Sequence, residues 1–273
     1  MKLVCSVPSI SIIEDIAPYV DGIMLEDSKE ILNHIQYVEN MKRIAIYKLD
    51  VMMHPLEVED MKKRILLTKD SKCLYYITDL GLAHMLKQLG LLERTIYDPI
   101  TMITNSLDAK AYMEYGFHSI GLSNEITLKD TRAIVEKSNC KAFLQVFGYR
   151  LMLHTRRKLI QLYGEKIKKK MPKEHLLLRE ATRQDYFPIV EEDGGTKIYR
   201  STMIHLDKEL LNLPLEYVFI DAFSLKNEDF LQVIQYYHAL CSKGSISFSL
   251  EALDLPLGDG FSYKDSVYMK EEF

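Results

Sequence analysis

The apolar run Ala142 to Phe147 meets Gly148 and is followed in close succession by Arg150, His154, Arg156 and Arg157. Guanidinium groups present parallel N–H donors that fit phosphate or carboxylate, and a histidine near neutrality can pass a proton. The spacing predicts a strand that ends at the glycine, with a tight turn and a loop that gathers these polar groups. Arg150, Arg156 and Arg157 are therefore candidates for holding an anionic group, and His154 is a candidate for acid–base catalysis. Glu125, beyond the end of an earlier run, could orient a substrate or accept a proton, and Arg179 would close such a site from above.

Other apolar runs also end in polar residues: Glu26 and Asp27, Lys48 and Asp50, Asp79, Asp98, Asn105, Ser123 and Asp221. Of these, Asn105 and Asp221 join the substrate-binding set. Each position is equally a place for a helix cap, and Asn105-Ser106 and Asp27-Ser28 sit where N-caps belong. The sequence has no HxH or HExxH pair, no GxSxG elbow and no GxGxxG turn. Zinc ligation, an elbow-type serine nucleophile and dinucleotide binding thus lose their usual motifs. No metal site is expected.

The elements that must position these residues alternate. Strand-like runs at Leu3–Val7, Gly22–Glu26, Arg43–Leu49, Cys73–Thr78, Arg94–Tyr97, His118–Ser123, Lys141–Phe147 and Tyr217–Ala222 are mostly separated by one helical segment each. This order predicts an α/β chain folded as a (β/α)8 TIM-barrel-like domain over residues 1–273. Between the seventh and eighth runs, residues 174–201 carry strand-like stretches around Asp193-Gly194-Gly195, which predicts a small antiparallel β insertion. Residues 245–273 form a tail in which Phe261, Tyr263 and Tyr268 could dock on the barrel.

With 47% hydrophobic residues in 273, the chain can bury a substantial core. No apolar run approaches bilayer length, and MKLVCSVPSIS lacks the pattern of a signal peptide, so a soluble cytoplasmic protein is expected. Cys5, Cys73, Cys140 and Cys241 stand singly, as buried thiols in a reducing compartment would. A net charge of −4 gives no global attraction to nucleic acid. A local patch at Lys166, Lys168, Lys169, Lys170 and Lys173 is either an RNA contact or a solvated helix end.

Several segments together resemble peptidase family U32, the collagenase-like proteases. They are TNSLDAKAYMEYGFHSIGLSNEITL (Thr104–Leu128), FGYRLMLHTRRKLI (Phe147–Ile160), LREATRQDYFPIVEEDGGTKIYRS (Leu178–Ser201), IDAF (Ile220–Phe223) and GDGFSYKDSVY (Gly258–Tyr268). The chain departs from the family pattern at Phe143, Phe147, Tyr149, Leu151 and Arg156, where a glutamate, a histidine and cluster-binding cysteines would stand. The resemblance therefore implies no iron–sulfur cofactor on this chain. It is similar to the short, cysteine-poor bacterial members, the smaller partner of a pair that hydroxylates the tRNA wobble uridine. That implies a larger cysteine-containing U32 relative and tRNA as partners, with no membrane and no DNA. A collagenase-like peptidase, or a barrel that binds a small anionic metabolite, are the alternatives.

Overall fold

The computed structural model describes residues 1–50, 52–172, 176–182, 184–242 and 248–264. Seven strands run in chain order: β1 (Lys2–Cys5), β2 (Gly22–Leu25), β3 (Ile44–Leu49), β4 (Leu74–Ile77), β5 (Thr95–Tyr97), β6 (Ser119–Gly121) and β7 (Ala142–Thr155). Each pairs in parallel with the next, and β11 (Tyr217–Ile220) closes the ring by pairing in parallel with both β1 and β7. The result is an eight-stranded parallel barrel. Its outer helices are α1 (Ile13–Ile16), α2 (Ile31–Asn40), α3 (Val58–Thr68), α4 (Leu80–Gln88), α5 (Ser106–Tyr115), α6 (Leu128–Ser138) and α8 (Asn227–Cys241).

The alternation of side chains along each strand divides the core into two layers. Val4, Met24, Ile46, Tyr76, Ile96, Phe143 and Phe219 belong to the inner cluster that fills the barrel. Cys5, Ile23, Tyr47, Tyr75, Leu144 and Val218, one residue away, pack outward in the main core. Strands covered on both faces need continuous apolar runs, and β2, β4 and β11 are buried at every residue. Two residues beyond the last inward apolar side chain, the same parity brings Ser6, Glu26, Lys48, Asp98, Gln145 and Asp221 to the mouth of the barrel.

One sequence expectation is corrected here. The seventh strand does not turn at Gly148 but runs on through Thr155. Gly148 takes φ +104 and lies so close to β11 that a Cβ there would stand 2.5 Å from the Asp221 carbonyl oxygen. The glycine serves close approach within a strand, paired with Ile204, and not a loop.

The outer half of β7 pairs antiparallel with β10 (Gly195–His205), which pairs with β9 (Phe187–Glu192), which pairs with β8 (Leu176–Leu178). Helix α7 (Leu159–Ile167) lies between β7 and this sheet in the chain. The insertion thus begins inside β7 and reaches His205, wider than 174–201, and its hairpin turns at Asp193-Gly194. In the tail, β12 (Leu257–Gly258) pairs in parallel with β10, and Phe261 packs under the Arg200 guanidinium. Tyr268 and Lys173 lie outside the described residues. Among the described residues, no helix is long and apolar enough to cross a membrane.

Candidate functional site

The carboxyl ends of the parallel strands, where a barrel of this type carries its chemistry, form a polar mouth beneath the β9–β10 hairpin. Lys48 donates to Glu26 at 2.7 Å, and Lys197, reaching down from β10, donates to Asp50 at 2.8 Å. Ser6 donates to Asp221 Oδ1 at 2.8 Å, and the Phe223 amide donates to the same oxygen at 3.2 Å. The Tyr199 ring stacks on Phe223 with centroids 4.2 Å apart. These groups bound a cavity of about 890 Å³. Below it, on the barrel axis, lies a chamber of about 50 Å³ that shares Lys48, Asp50, Tyr199 and Asp221 with the cavity above.

Tyr76 and Asp98 line the chamber, with the Tyr76 hydroxyl donating to Asp98 Oδ2 at 3.0 Å and the Ile100 amide donating to Oδ1 at 2.9 Å. Burial pushes the Asp98 carboxyl up to about 6, against the opposing pull of these hydrogen bonds. Burial also raises Asp221, although Lys48 and the Ser6 hydroxyl favour its charged form. For Asp50 burial is opposed and overcome by Lys197 and Lys48, so its carboxyl lies below the usual range. Lys48 is held above its usual value because Glu26, Asp50 and Asp221 outweigh its burial. Burial lowers His154 despite the attraction of Asp50, so its neutral form is favoured. Carboxylates displaced in both directions beside a raised lysine within one cleft make it the candidate functional site.

At the rim, Arg64 pairs with Asp27, and Arg156 makes a two-pronged contact with Glu57, both nitrogens at 2.8 Å. The Arg156 pair, with the His54 amide, holds Glu57 at about 2. Each lysine or arginine that lines the cavity is therefore already matched to a carboxylate. Asp60, Glu192, Asp193 and Asp221 line it as well, with no lining cation of their own. The mouth carries an excess of negative charge.

The structure brings three of the sequence candidates to this mouth and separates the others. His154, Arg156 and Asp221 line the cavity. Because β7 continues past Gly148, its residues alternate across a sheet and do not converge in a loop. Arg150 lies buried outside both cavities, where it donates to the Asn124 carbonyl at 2.9 Å and the Gln145 carbonyl at 3.1 Å. Burial and the nearby Arg200 bring it down to about 10. Arg157 is exposed, and its carbonyl accepts from Thr196. Exposed Glu125 pairs with Arg200 at 3.2 Å. Exposed Arg179 lies over the Tyr186 ring, away from the cavity. Asn105 caps α5, its oxygen accepting from the Leu107 and Asp108 amides.

Lys48, Asp50 and Asp98 were visible as strand-end residues, but Ser6, Tyr76, Gln145, Lys197 and Tyr199 were not singled out. The inward parity of each strand, counted from its apolar centre, would have found Ser6, Tyr76 and Gln145. Lys197 and Tyr199 depend on how the insertion folds back, which local pattern does not encode.

Cys5, Cys73 and Cys140 are buried and Cys241 half-buried, all as free thiols on different strands, loops or helices. Among the described residues, no three His, Cys, Asp or Glu side chains gather in a group that could hold a metal ion.

Fold and site define an α/β barrel with a charged pocket at its carboxyl face, roofed by an inserted β sheet. The family model for peptidase family U32 matches residues 25–243, so the chain belongs to that family. Among solved structures, the U32 peptidase Mk0906 superimposes with a TM-score of 0.53 at 12% identity, covering 81% of this chain and 92% of that one. The spore cortex-lytic enzyme SleL of Bacillus cereus gives a TM-score of 0.48 at 7% identity, over 91% of this chain and 75% of that one. A chitinase from Chromobacterium violaceum gives 0.44 at 10% identity, over 86% and 98%. No curated protein matches the sequence.

Proposed function

We propose that this chain is the cluster-free subunit of a tRNA-modifying pair that forms 5-hydroxyuridine. Its barrel mouth handles a small polar reactant, and its insertion meets a larger, cysteine-containing U32 relative. The observation that carries this reading is the surface of the insertion. Met152, Leu153, Leu162, Tyr163, Ile167, Leu177, Leu178 and Tyr186 are all exposed there, on β7, α7, β8 and the loop after β8. Apolar exposure on that scale fits a protein partner. Among the described residues β8 is the last strand of that sheet, an edge to which a partner's strand could add. The lysines at the end of α7, Lys166, Lys168, Lys169 and Lys170, offer the basic surface that an RNA backbone requires and that the acidic mouth does not.

The test is affinity capture from native cells with the wild-type chain and with a Tyr163→Glu, Leu177→Glu double variant. Recovery of a cysteine-rich U32 relative by the wild type alone is the expected result. Equal recovery by both would remove the insertion as the interface.

Family membership favours a second reading, a peptidase. At the mouth, Ser6 donates its hydroxyl to Asp221 and accepts the Ala222 amide, a setting that leaves it without a histidine base. Cleavage of a peptide library by the purified chain, abolished by Asp221→Asn, would establish that reading in place of the first.

A further inference from the structure

The inner chamber is built from polar groups that the protein does not itself satisfy. Asn124 and Tyr149, each 9% exposed, line it, and among the described residues neither the Asn124 side-chain amide nor the Tyr149 hydroxyl has a hydrogen-bond partner. Gln145 donates through Nε2 to the Phe147 and Tyr149 carbonyls at 3.3 and 3.1 Å, so its Oε1 remains a spare acceptor. Asp221 receives both of its hydrogen bonds on Oδ1, which leaves Oδ2 unpartnered. These groups open onto the cavity and carry spare hydrogen-bonding capacity at one place, which a polar ligand could take up.

The charges decide what kind of occupant. Amide and hydroxyl groups serve as donor or acceptor alike, so the carboxylates set the sign. Asp50, Asp98 and Asp221 line the chamber; Lys48, beside Asp221, donates to Glu26, Lys197 pairs with Asp50, and the buried Arg150 near Asp98 donates to the Asn124 and Gln145 carbonyls. The cavity above has more lining carboxylates than lining cations as well, with Asp193 and Asp60 paired to Lys158 and Lys63 just outside the lining and Glu192 beside them. An anionic ligand would have to displace one of four standing ion pairs. A cationic donor would find open acceptors.

We propose that the barrel mouth binds an organic amine, with one ammonium or guanidinium group inserted in the chamber between Asp221, Asp98 and the Gln145 amide oxygen. Asn124 and the Tyr149 hydroxyl complete its shell, and the stacked Tyr199–Phe223 pair lines the way in. The chamber, about 50 Å³, is small beside the cavity of about 890 Å³ above it, so the remainder of the ligand lies in that cavity. This inference rests on the barrel mouth being the working pocket and names the class of compound it takes.

The experiment is calorimetric titration of the purified chain with 1,4-diaminobutane and with agmatine, against succinate and 1,4-butanediol of similar length. Both amines should bind, and neither the dicarboxylate nor the diol should. Asp221→Asn should weaken the amines about tenfold or more, the loss expected for a charged hydrogen bond. Asn124→Ala should weaken them in the same direction, and the surface variant Arg132→Gln should leave them unchanged. Binding of succinate that is lost in Lys48→Met overturns the proposal, as does the absence of heat from both amines at millimolar concentration. Measuring tRNA 5-hydroxyuridine in cells carrying Asp221→Asn separates the two claims. If amines do not bind but the nucleoside falls, the pocket stands and its ligand class is wrong. If amines bind and the nucleoside is unchanged, the ligand class stands and the tRNA reading fails.

Discussion

Asp98 is costly to the fold in its charged form. Its folded pKa of about 6 lies above the ordinary 3.8, so between these values the folded state holds a proton that the unfolded chain has released. Stability contributed by the protonated carboxyl is therefore full at low pH and is lost as pH rises through about 6. Asp98→Asn removes this penalty. The stability of the variant relative to wild type should rise between pH 4 and pH 7, by up to about 3 kcal/mol for a gap of roughly two pKa units. Urea titrations at several pH values measure it, and a difference that does not vary with pH would contradict the assignment. At this scale the sequence shows the residue types but not their company. Arg150 and Asp98 both stand near strand ends, yet one clamps two backbone carbonyls and the other lines the chamber. Only their parity on the strand separates them.

At the scale of elements, Gly148 and Asn105 make opposite cases. A glycine after an apolar run reads as a turn, because positive φ and chain reversal usually go together. Here positive φ serves a strand that leaves the barrel to build the insertion, with the Asp221 backbone pressed against it. Gly148→Ala should cost about 2 kcal/mol or more from strained φ and the 2.5 Å approach to the Asp221 carbonyl. Because Asp221 would be displaced, ligand binding at the mouth should weaken with it. Asn105 reads both as a strand-end ligand and as a cap, and the structure uses its side chain to cap α5. Asn105→Ala should cost about 1 kcal/mol in thermal or urea unfolding and leave binding at the mouth unchanged. A loss of binding without a loss of stability would return Asn105 to the site. The eight barrel strands themselves were legible from alternation alone, since parallel strands buried on both faces must be short continuous apolar runs. The reach of β7 and the packing of β10 above the mouth were not, because they depend on contacts between distant segments.

Across the whole molecule, acidic and basic surface lie at different places. The mouth is acidic, the end of α7 is basic, and exposed apolar residues lie on the insertion as well as around the barrel, where Leu56, Met102 and Leu107 are among them. Such a division suits a subunit that takes a small reactant at one face and meets a protein and an RNA at others. The family model covers residues 25–243, and at the positions where the resemblance implies cluster-binding cysteines this chain carries Tyr149 and Leu151, which line the chamber, and Arg156 at the rim. On the proposed reading the chain lends its pocket, and a partner would supply any cluster chemistry. Quantification of 5-hydroxyuridine in tRNA by mass spectrometry, from cells lacking this chain and from the same cells restored with wild type or Asp221→Asn, tests that account most directly. It predicts loss of the nucleoside on deletion, recovery with wild type and little recovery with the variant. An unchanged level of 5-hydroxyuridine in the deleted cells would contradict it.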